Sequence, residues 1–485
     1  MQGDEMSNGK NARLGVFGIS GVLALLAAAC MVGPKYQAPQ VKVPDAWAGL
    51  SGGPQGQISS AAPEPEDIAE WWKNLHDPEL DALIARAAQS SLSVRQAQER
   101  ILQARAARGV VGAGLWPQAT ASGGAGTTRT SAIGGGSEVN SGTRNLFQAG
   151  LDAAWELDLF GGVRRGVEAA NADLQAAVED SRDVLVTLTA EVALDYIGLR
   201  GLQQQIAIAN DNLAAQRHSA ELAKKRYDVG FASRLDVANA DAQAATTLSQ
   251  IPQLEAAAQQ AIYSLSVLLG REPATLLPEL SSAAAIPPAP PAVPVGLPSD
   301  LLRRRPDIRR AEAQLHGATA RIGVATADLF PKFSLTGALG LQSTALSTLA
   351  GGGIANVSGA GAVTWPIFSA GRIRANIRIQ DAVQRETLLA YQQTVLTALQ
   401  DVESALVAFG KEQQHHAALA DAVTANRTAV DLSTKLYVAG ETDFLNVLTA
   451  QRSLYATEDA LAQSDRAIDT DLIALYKALG GGWQQ

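Results

Sequence analysis

The chain has 485 residues and a formal net charge of −9, is 47% hydrophobic and 18% charged, and holds a single cysteine. That length allows two or three ordinary domains with a large core, while the lone thiol excludes an intrachain disulfide. Acids and bases are interspersed without a basic stripe, which excludes nucleic acid as a partner, and the recurrence of Ala, Leu, Gln, Arg and Glu favours long helices.

The N-terminus reads as the leader of an exported protein. Lys10 and Arg13 precede the uncharged, mostly apolar run Leu14–Ala29, which is too short for a comfortable membrane span and suits a signal peptide. Residues 1–29 are therefore expected to be removed. Leu25-Leu26-Ala27-Ala28-Ala29 ends at Cys30. Small residues before a Cys resemble a bacterial lipobox, with Ala27 standing where Leu is usual. Cleavage there leaves Cys30 to carry a diacylglycerol and an N-acyl lipid. The alternative is an ordinary signal peptide with an incidental Cys. Residues 30–75 follow as a lipid-anchored extended segment.

From residue 76 the chain is expected to run through two similar halves. In the first, 76–285, a helix spans about Pro78–Gly112. Two short segments with strand character come next: Gln118–Thr127, rich in Ala and Gly, and a stronger one from Phe147. There Phe147, Leu151, Trp155 and Leu157 alternate with Gln148, Asp152, Glu156 and Asp158, so one face is apolar and the other wet. Gly162 to Gly230 holds no proline and, if helical, spans roughly 100 Å at about 1.5 Å per residue. Its residues Leu185, Leu188, Val192, Tyr196, Leu199, Leu202, Ile206, Ala209 and Leu213 step by three or four, as a coiled-coil seam does. The chain turns at Gly230, a residue suited to the left-handed position that ends a helix, and the return helix ends near Gly270.

Prolines between Ile286 and Pro298 favour an extended crossover linker. The second half, 299–480, repeats the plan, and 481–485 is a tail. A helix covers about Ser299–Asp328. Phe333, Leu335, Leu339 and Leu341 alternate with polar or small residues, as do Val357, Val363, Trp365 and Ile367. Val395, Leu399, Val402, Leu406 and Phe409 form a second seam, with a turn at Gly440 and an end near Gly480. The halves align at a constant offset of 210 residues: Lys225-Arg226-Tyr227-Asp228-Val229-Gly230 is echoed by Lys435-Leu436-Tyr437-Val438-Ala439-Gly440, and Trp155 by Trp365. A fixed offset over such a distance makes chance improbable and implies an internal two-fold repeat.

About ten residues per strand matches a tilted crossing of the hydrocarbon layer. Trp116, Trp155, Phe160, Phe330, Trp365 and Phe368 cluster at strand ends, as an aromatic girdle would. Four strands cannot close a barrel, and open edges in lipid cost several kcal/mol per unpaired backbone group. Three copies pooling four strands each would make twelve, within the known range. Gly-rich Ser131–Asn145 and Ser343–Asn356 then become the outer loops. The expected fold is mainly α with a trimeric twelve-stranded membrane β-barrel from which the long helices project.

The chain resembles the TolC-type outer-membrane efflux factor family, in its lipoprotein branch of OprM- and NodT-like members. The resemblance rests on Val32-Gly33-Pro34-Lys35-Tyr36, on Trp71-Trp72 followed by Asp77-Pro78, on Leu297-Pro298-Ser299-Asp300-Leu301-Leu302-Arg303-Arg304-Arg305-Pro306-Asp307-Ile308, and on the tail Leu475-Tyr476-Lys477-Ala478-Leu479-Gly480-Gly481-Gly482-Trp483. It implies a homotrimer in outer-membrane lipid, with the long helices forming a long periplasmic α-helical barrel continuous with the β-barrel. A periplasmic adaptor protein would join it to an inner-membrane pump of the RND type, which loads drugs, solvents or metal ions. It also implies that the hairpin tips, Gly230, Phe231, Ala232 and Arg234 with Gly440, Glu441 and Thr442, meet the adaptor. In resembling channels acids follow the hairpin glycine and gate the periplasmic end. Here Asp236 matches that pattern, whereas Asn446 and Thr449 stand where acids are expected in the second hairpin. Asp443 is a possible substitute, and Tyr227 and Tyr437 are expected to hydrogen-bond across neighbouring hairpins. The bland alternative for Asp236 is a helix-end charge stabilised by the dipole.

Other functions fare worse. The histidines are His76, His218, His316, His415 and His416. Neighbours such as His415 and His416 diverge by about 100° on a helix and make a poor metal site. No phosphate-binding glycine loop is present, and Asp152, Glu156 and Asp158 fall on the wet face of a strand, so neither enzymatic activity nor a cofactor is expected. A structural coiled-coil stalk would need no duplication. An exit duct for ABC-driven protein secretion would usually lack the lipidated Cys and the Leu297–Ile308 stretch.

Overall fold

A computed structural model describes residues 31–49, 58–59, 68–130, 142–290, 293–351 and 353–483. Cys30, the leader and part of the first Gly-rich loop lie outside the described residues. The elements in order are β1 (Ile58–Ser59), α1 (Pro78–Ser90), α2 (Leu92–Ala113), β2 (Gln118–Thr130), β3 (Gly142–Leu157), α3 (Gly162–Asp228), α4 (Arg234–Leu268), β4 (Val293–Pro294), α5 (Pro306–Ala327), β5 (Lys332–Ser343), β6 (Ile354–Thr364), α6 (Arg372–Ala439) and α7 (Phe444–Ala478). The chain is mainly helical with a small sheet.

Four local readings change. The single helix expected over 78–112 is two, because Ser91 is extended and the Ser90 hydroxyl donates to Leu269 O at 2.7 Å. The helix expected over 299–328 breaks at Arg305, whose conformation is restricted by the following Pro306. The outer loops are shorter than Ser131–Asn145 and Ser343–Asn356, since pairing continues to Thr130↔Gly142 and Gln342↔Ile354. The Pro-rich linker is not simply extended coil: β4 pairs parallel with β1 of the N-terminal segment.

The chain divides into two compact units. One comprises the described part of Met1–Pro39 with Leu102–Ala176 and Ala311–Tyr391, and contains the antiparallel sheet β2-β3-β5-β6. Its N-terminal strap is pinned in place. Val32 N donates to Phe160 O at 3.2 Å, and the buried Arg165 donates to Val32 O at 3.1 Å. Gly33 lies so close to Gly323 that an added Cβ would meet its Cα at 2.5 Å. Tyr36 stacks on His316, with centroids 4.3 Å apart, and donates to Glu312 at 3.1 Å.

The other unit comprises Gln40–Ile101, Ala177–Arg310 and Gln392–Gln485. Leu188, Val192, Tyr196 and Leu199 of the first seam and Val395, Val402, Leu406 and Phe409 of the second are buried, as a periodic apolar stripe requires. Asp77 caps α1 by accepting from Glu79 N and Leu80 N, with Pro78 in the first turn. The other Asp77 oxygen accepts from Tyr196 at 2.7 Å. Trp71 stacks on Tyr476 at 5.4 Å. Arg305 joins the two most distinctive stretches: it donates to Ala478 O at 3.0 Å, to both oxygens of Asp307 and to Asp401 at 3.0 Å. Trp483 donates to Arg304 O at 3.1 Å, and the guanidinium groups of Arg182 and Arg309 both lie over its ring.

One buried acid is left over. Asp469 on α7 is 2% exposed, and its Oδ1 has no hydrogen-bond partner among the described residues. Burial, and then the charge of Asp465, push its carboxyl up to about 7. The folded-state value thus stands above the unfolded one of about 3.9. The associated stability is fully present in acid and lost as pH rises through about 7. Denaturant unfolding of the detergent-solubilised protein should therefore show lower stability at pH 8 than at pH 5, with about 2–3 kcal/mol of the difference due to this group. Asp469→Asn should abolish that share.

Candidate functional site

The sheet, in the first unit, and the tips of the two helical hairpins, in the second, are the features with functional geometry. In the sheet, register aligns residues of like character. Ala121, Leu151, Leu339 and Val357 form one cross-strand row, and Leu157, Phe333 and Val363 another. The opposite face carries rows such as Thr120, Asp152, Ala338 and Ser358, or Ser122, Gly150, Gly340 and Asn356. Leu151, Leu335, Leu339, Val357 and Val363 are all exposed in the single chain. The apolar face is thus uncovered, and the other is lined by small and polar groups. Ser122 donates across it to Asp152 at 3.3 Å.

Strand ends are tied down by indoles. Trp155 Nε1 donates to Leu115 O at 3.1 Å and Trp365 Nε1 to Leu329 O at 3.0 Å. The same bond thus recurs in both halves. Phe160 stacks on Phe330 at 4.7 Å. Trp365 and Phe368 lie just past the end of β6 and are exposed.

The hairpins turn at Gly230 (φ 84°) and Gly440 (φ 82°), values that favour glycine. Phe231 N donates to Arg226 O at 2.7 Å, and Glu441 N to Leu436 O at 2.9 Å, so each helix end closes in the same way. Around the first turn Val229, Phe231 and Leu235 are exposed, Phe231 by 75%, and around the second so are Val438 and Leu445. Gly230, Arg234, Gly440 and Glu441 are exposed, while Ala232 and Thr442 are half-buried.

The gate candidates are placed differently from one another. Asp236 sits in the first turn of α4 in a capping box: its carboxylate accepts from Ser233 N at 2.9 Å, and Asp236 N donates to Ser233 Oγ at 3.1 Å. That geometry fits the helix-end charge and still leaves the residue half-buried at the tip. Asp443 is the N-cap of α7 without a side-chain cap bond. Asn446 donates to Thr442 Oγ1 at 2.6 Å, and Thr449 to Leu445 O at 2.8 Å. Tyr227 is exposed, whereas Tyr437 is buried in a cluster with Ala220, Ala223 and Ala240 of the first hairpin and Phe444, Val447 and Leu448 of the second. Burial pushes its hydroxyl pKa up, and its oxygen has no partner among the described residues. Arg226, which the sequence did not single out, lies over the Tyr437 ring at 4.7 Å and donates to Val438 O at 2.9 Å. Within the chain, then, Tyr437 and Arg226 lock the two hairpins together.

The histidine pair diverges, as adjacent helical residues must. His416 Nε2 is 2.7 Å from Asp465 and His415 Nδ1 is 3.2 Å from Glu412. Among the described residues, no group of three or more His, Cys, Asp or Glu side chains is placed to hold a metal ion. No described helix is long and apolar enough to cross a membrane.

The family model for "Outer membrane efflux protein" matches residues 83–271 and 297–481, the two blocks either side of the Pro-rich linker. The chain belongs to the outer membrane efflux protein family. It is an outer-membrane efflux channel and not an enzyme. The pyoverdine export outer membrane protein OpmQ of Pseudomonas aeruginosa is 36% identical over 465 residues, covering 95% of each chain. The toluene efflux pump outer membrane protein TtgF of Pseudomonas putida is 32% identical over 475 residues, covering 96% of each. The solved outer-membrane channel OprN is similar with a TM-score of 0.86 and 36% identity, covering 94% of this chain and all of that one. For this efflux channel the uncovered sheet and the exposed hairpin tips are the surfaces that matter.

Proposed function

We propose that this channel is the passive exit duct of a tripartite efflux system. Three copies close a twelve-stranded barrel in the outer membrane, continuous with a helical barrel in the periplasm. A periplasmic adaptor joins it to an RND-type inner-membrane pump that delivers drugs, solvents or metal ions. The observation that carries this reading is the four-stranded sheet, which among the described residues has one apolar, uncovered face and a free edge on each outer strand. In hydrocarbon those edges must be paired by other copies. The names of two relatives, in pyoverdine export and toluene efflux, support small-molecule cargo. An internal two-fold repeat is supported by positive-φ glycines at 161 and 371, 230 and 440, and 270 and 480, all at the same offset. Cross-linking in mild detergent should give a three-chain species, and a stable inserted monomer would refute the barrel.

Cys30 is read as the lipid-bearing N-terminus of the mature chain. The pinned strap that starts at Met31 supports a fixed attachment point, since Met31 packs against Gly161. Acyl chains hold a protein less firmly than a membrane-spanning structure, so the barrel supplies most of the insertion. Cys30→Ser should abolish incorporation of radiolabelled fatty acid while much of the channel still assembles. Unchanged labelling would count against lipidation.

The tips formed by Gly230, Phe231, Ala232, Arg234, Gly440, Glu441 and Thr442 are read as the adaptor-contacting surface, and exposed apolar residues beside them support this. The periplasmic gate is read as rings of Asp236, with Tyr227, Tyr437, Asn446, Asp443 and Thr449 completing the constriction. The Tyr437 hydroxyl is buried between the two hairpins without a partner among the described residues, so it would reach a neighbouring copy only if the hairpins moved apart. A ring of acids at a narrow pore favours cations. In planar bilayers Asp236→Asn, which keeps an acceptor oxygen for the Ser233 cap, should weaken cation selectivity, and Tyr437→Phe should raise resting conductance. If neither changes while assembly is intact, Asp236 is only a helix-end charge.

A further inference from the structure

In the helical unit, a cavity of about 680 Å³ lies between α3, α7 and the segment leading into the Pro-rich linker, with Gln203, Gln204, Ala284, Ile286, Asp465 and Asp469 in its wall. Its sign is negative: two carboxylates line it and no lysine or arginine does. Asp465 is already engaged, accepting from Gln204 at 3.0 Å and lying 2.7 Å from His416 Nε2 on α6. Asp469 is not. It is buried, and its Oδ1 meets no donor among the described residues. A buried acceptor left this way is costly unless a donor arrives. Arg200, the cation of α3 in this neighbourhood, donates instead to Gln203 at 2.8 Å and to Ser282 O at 3.0 Å, and its guanidinium lies over Tyr196. Gln203 turns its own amide to Leu280 O at 2.8 Å. The helical hairpin does not itself require an acid here: 210 residues earlier, on α4, stands Gln259, which is exposed.

We infer that this cavity binds a small organic ammonium ion, its N–H groups donating to Asp469 and its charge answered by Asp469 and Asp465. The rest of the wall suits the rest of such a ligand, because Ala283–Ala285, Ile286, Pro287 and Pro288 present apolar surface to an alkyl or aryl body. An anion has the wrong sign for the site, and a neutral molecule leaves the buried charge unmet. A divalent metal would need more oxygen ligands than two carboxylates, one of them already bonded to a histidine and a glutamine. The inference does not depend on the exit-duct reading, since it rests only on this cavity.

The test is isothermal titration of the full-length, detergent-solubilised protein with 2-phenylethylammonium, and with 2-phenylethanol as its uncharged analogue. The ammonium should bind and the alcohol should not. Binding should tighten from pH 6 to pH 8, because a proton and the ammonium compete for the same oxygens. Asp469→Asn, which keeps the shape of the side chain, should weaken binding at least tenfold and flatten the pH dependence. Equal affinity for the alcohol, or unchanged binding by the Asn variant, would overturn the proposal. So would carbodiimide coupling of Asp469 to a lysine of a second copy, which would make the cavity a contact between chains.

Discussion

The outer sides of β2 and β6 each carry a row of backbone amides and carbonyls with no strand beside them among the described residues, and the rest of the molecule is arranged around that constraint. In water such a row is simply hydrated, whereas in hydrocarbon every group in it must find a partner. The side chains point to the second medium. Leu151, Leu339 and Val357 line up on a face that none of the described residues covers, an arrangement that a water-soluble sheet would normally bury. The opposite face is rich in Gly, Ala and Ser, whose small size leaves room beside the sheet for something to pass.

The stretches that identify the family have physical roles. Gly33 fits because its neighbour across the contact is another glycine, Gly323. Asp77 and Pro78 start α1, Asp77 accepts from Tyr196, and Trp71 stacks on Tyr476. Arg305 faces two aspartates and a helix-end carbonyl at once, a charge-assisted fork that lysine could not reproduce. Residues far apart in the sequence are thus parts of a few shared joints, and a change at one member would be felt at the others.

How much of this could be read from the sequence follows from the range of each interaction. The alternation at Phe147–Asp158, the seam at Leu185–Leu213 and the turns at Gly230 and Gly440 depend on near neighbours, so the sequence displays them directly. The break at Ser91 depends on Leu269, and the pairing of β1 with β4 on a register between distant segments; neither leaves a local trace. Arg305 is different, because the restriction imposed by Pro306 is visible in the sequence, yet the single helix expected over Ser299–Asp328 runs across it. Tyr227 and Tyr437 look equivalent in sequence. Their surroundings part because Arg226 has Leu436 as its counterpart, and only one ring receives a cation. The Asp469 cavity left no sign, since an acid on a helix ordinarily faces water.

The closing role of the C-terminal tail sets a timetable. Asn74 and Tyr476, which are hydrogen-bonded, are separated by 402 residues. Gly482 N donates to Ile68 O at 3.1 Å, and Trp483 reaches back to Arg304. During synthesis from the N-terminus, Trp71 and Trp72 therefore emerge long before the residues that cover them. Until the last turn of α7 is released, the interior of the helical unit is unfinished. A premature stop a few codons from the end would remove little mass and yet leave the chain unable to close, a target for proteases.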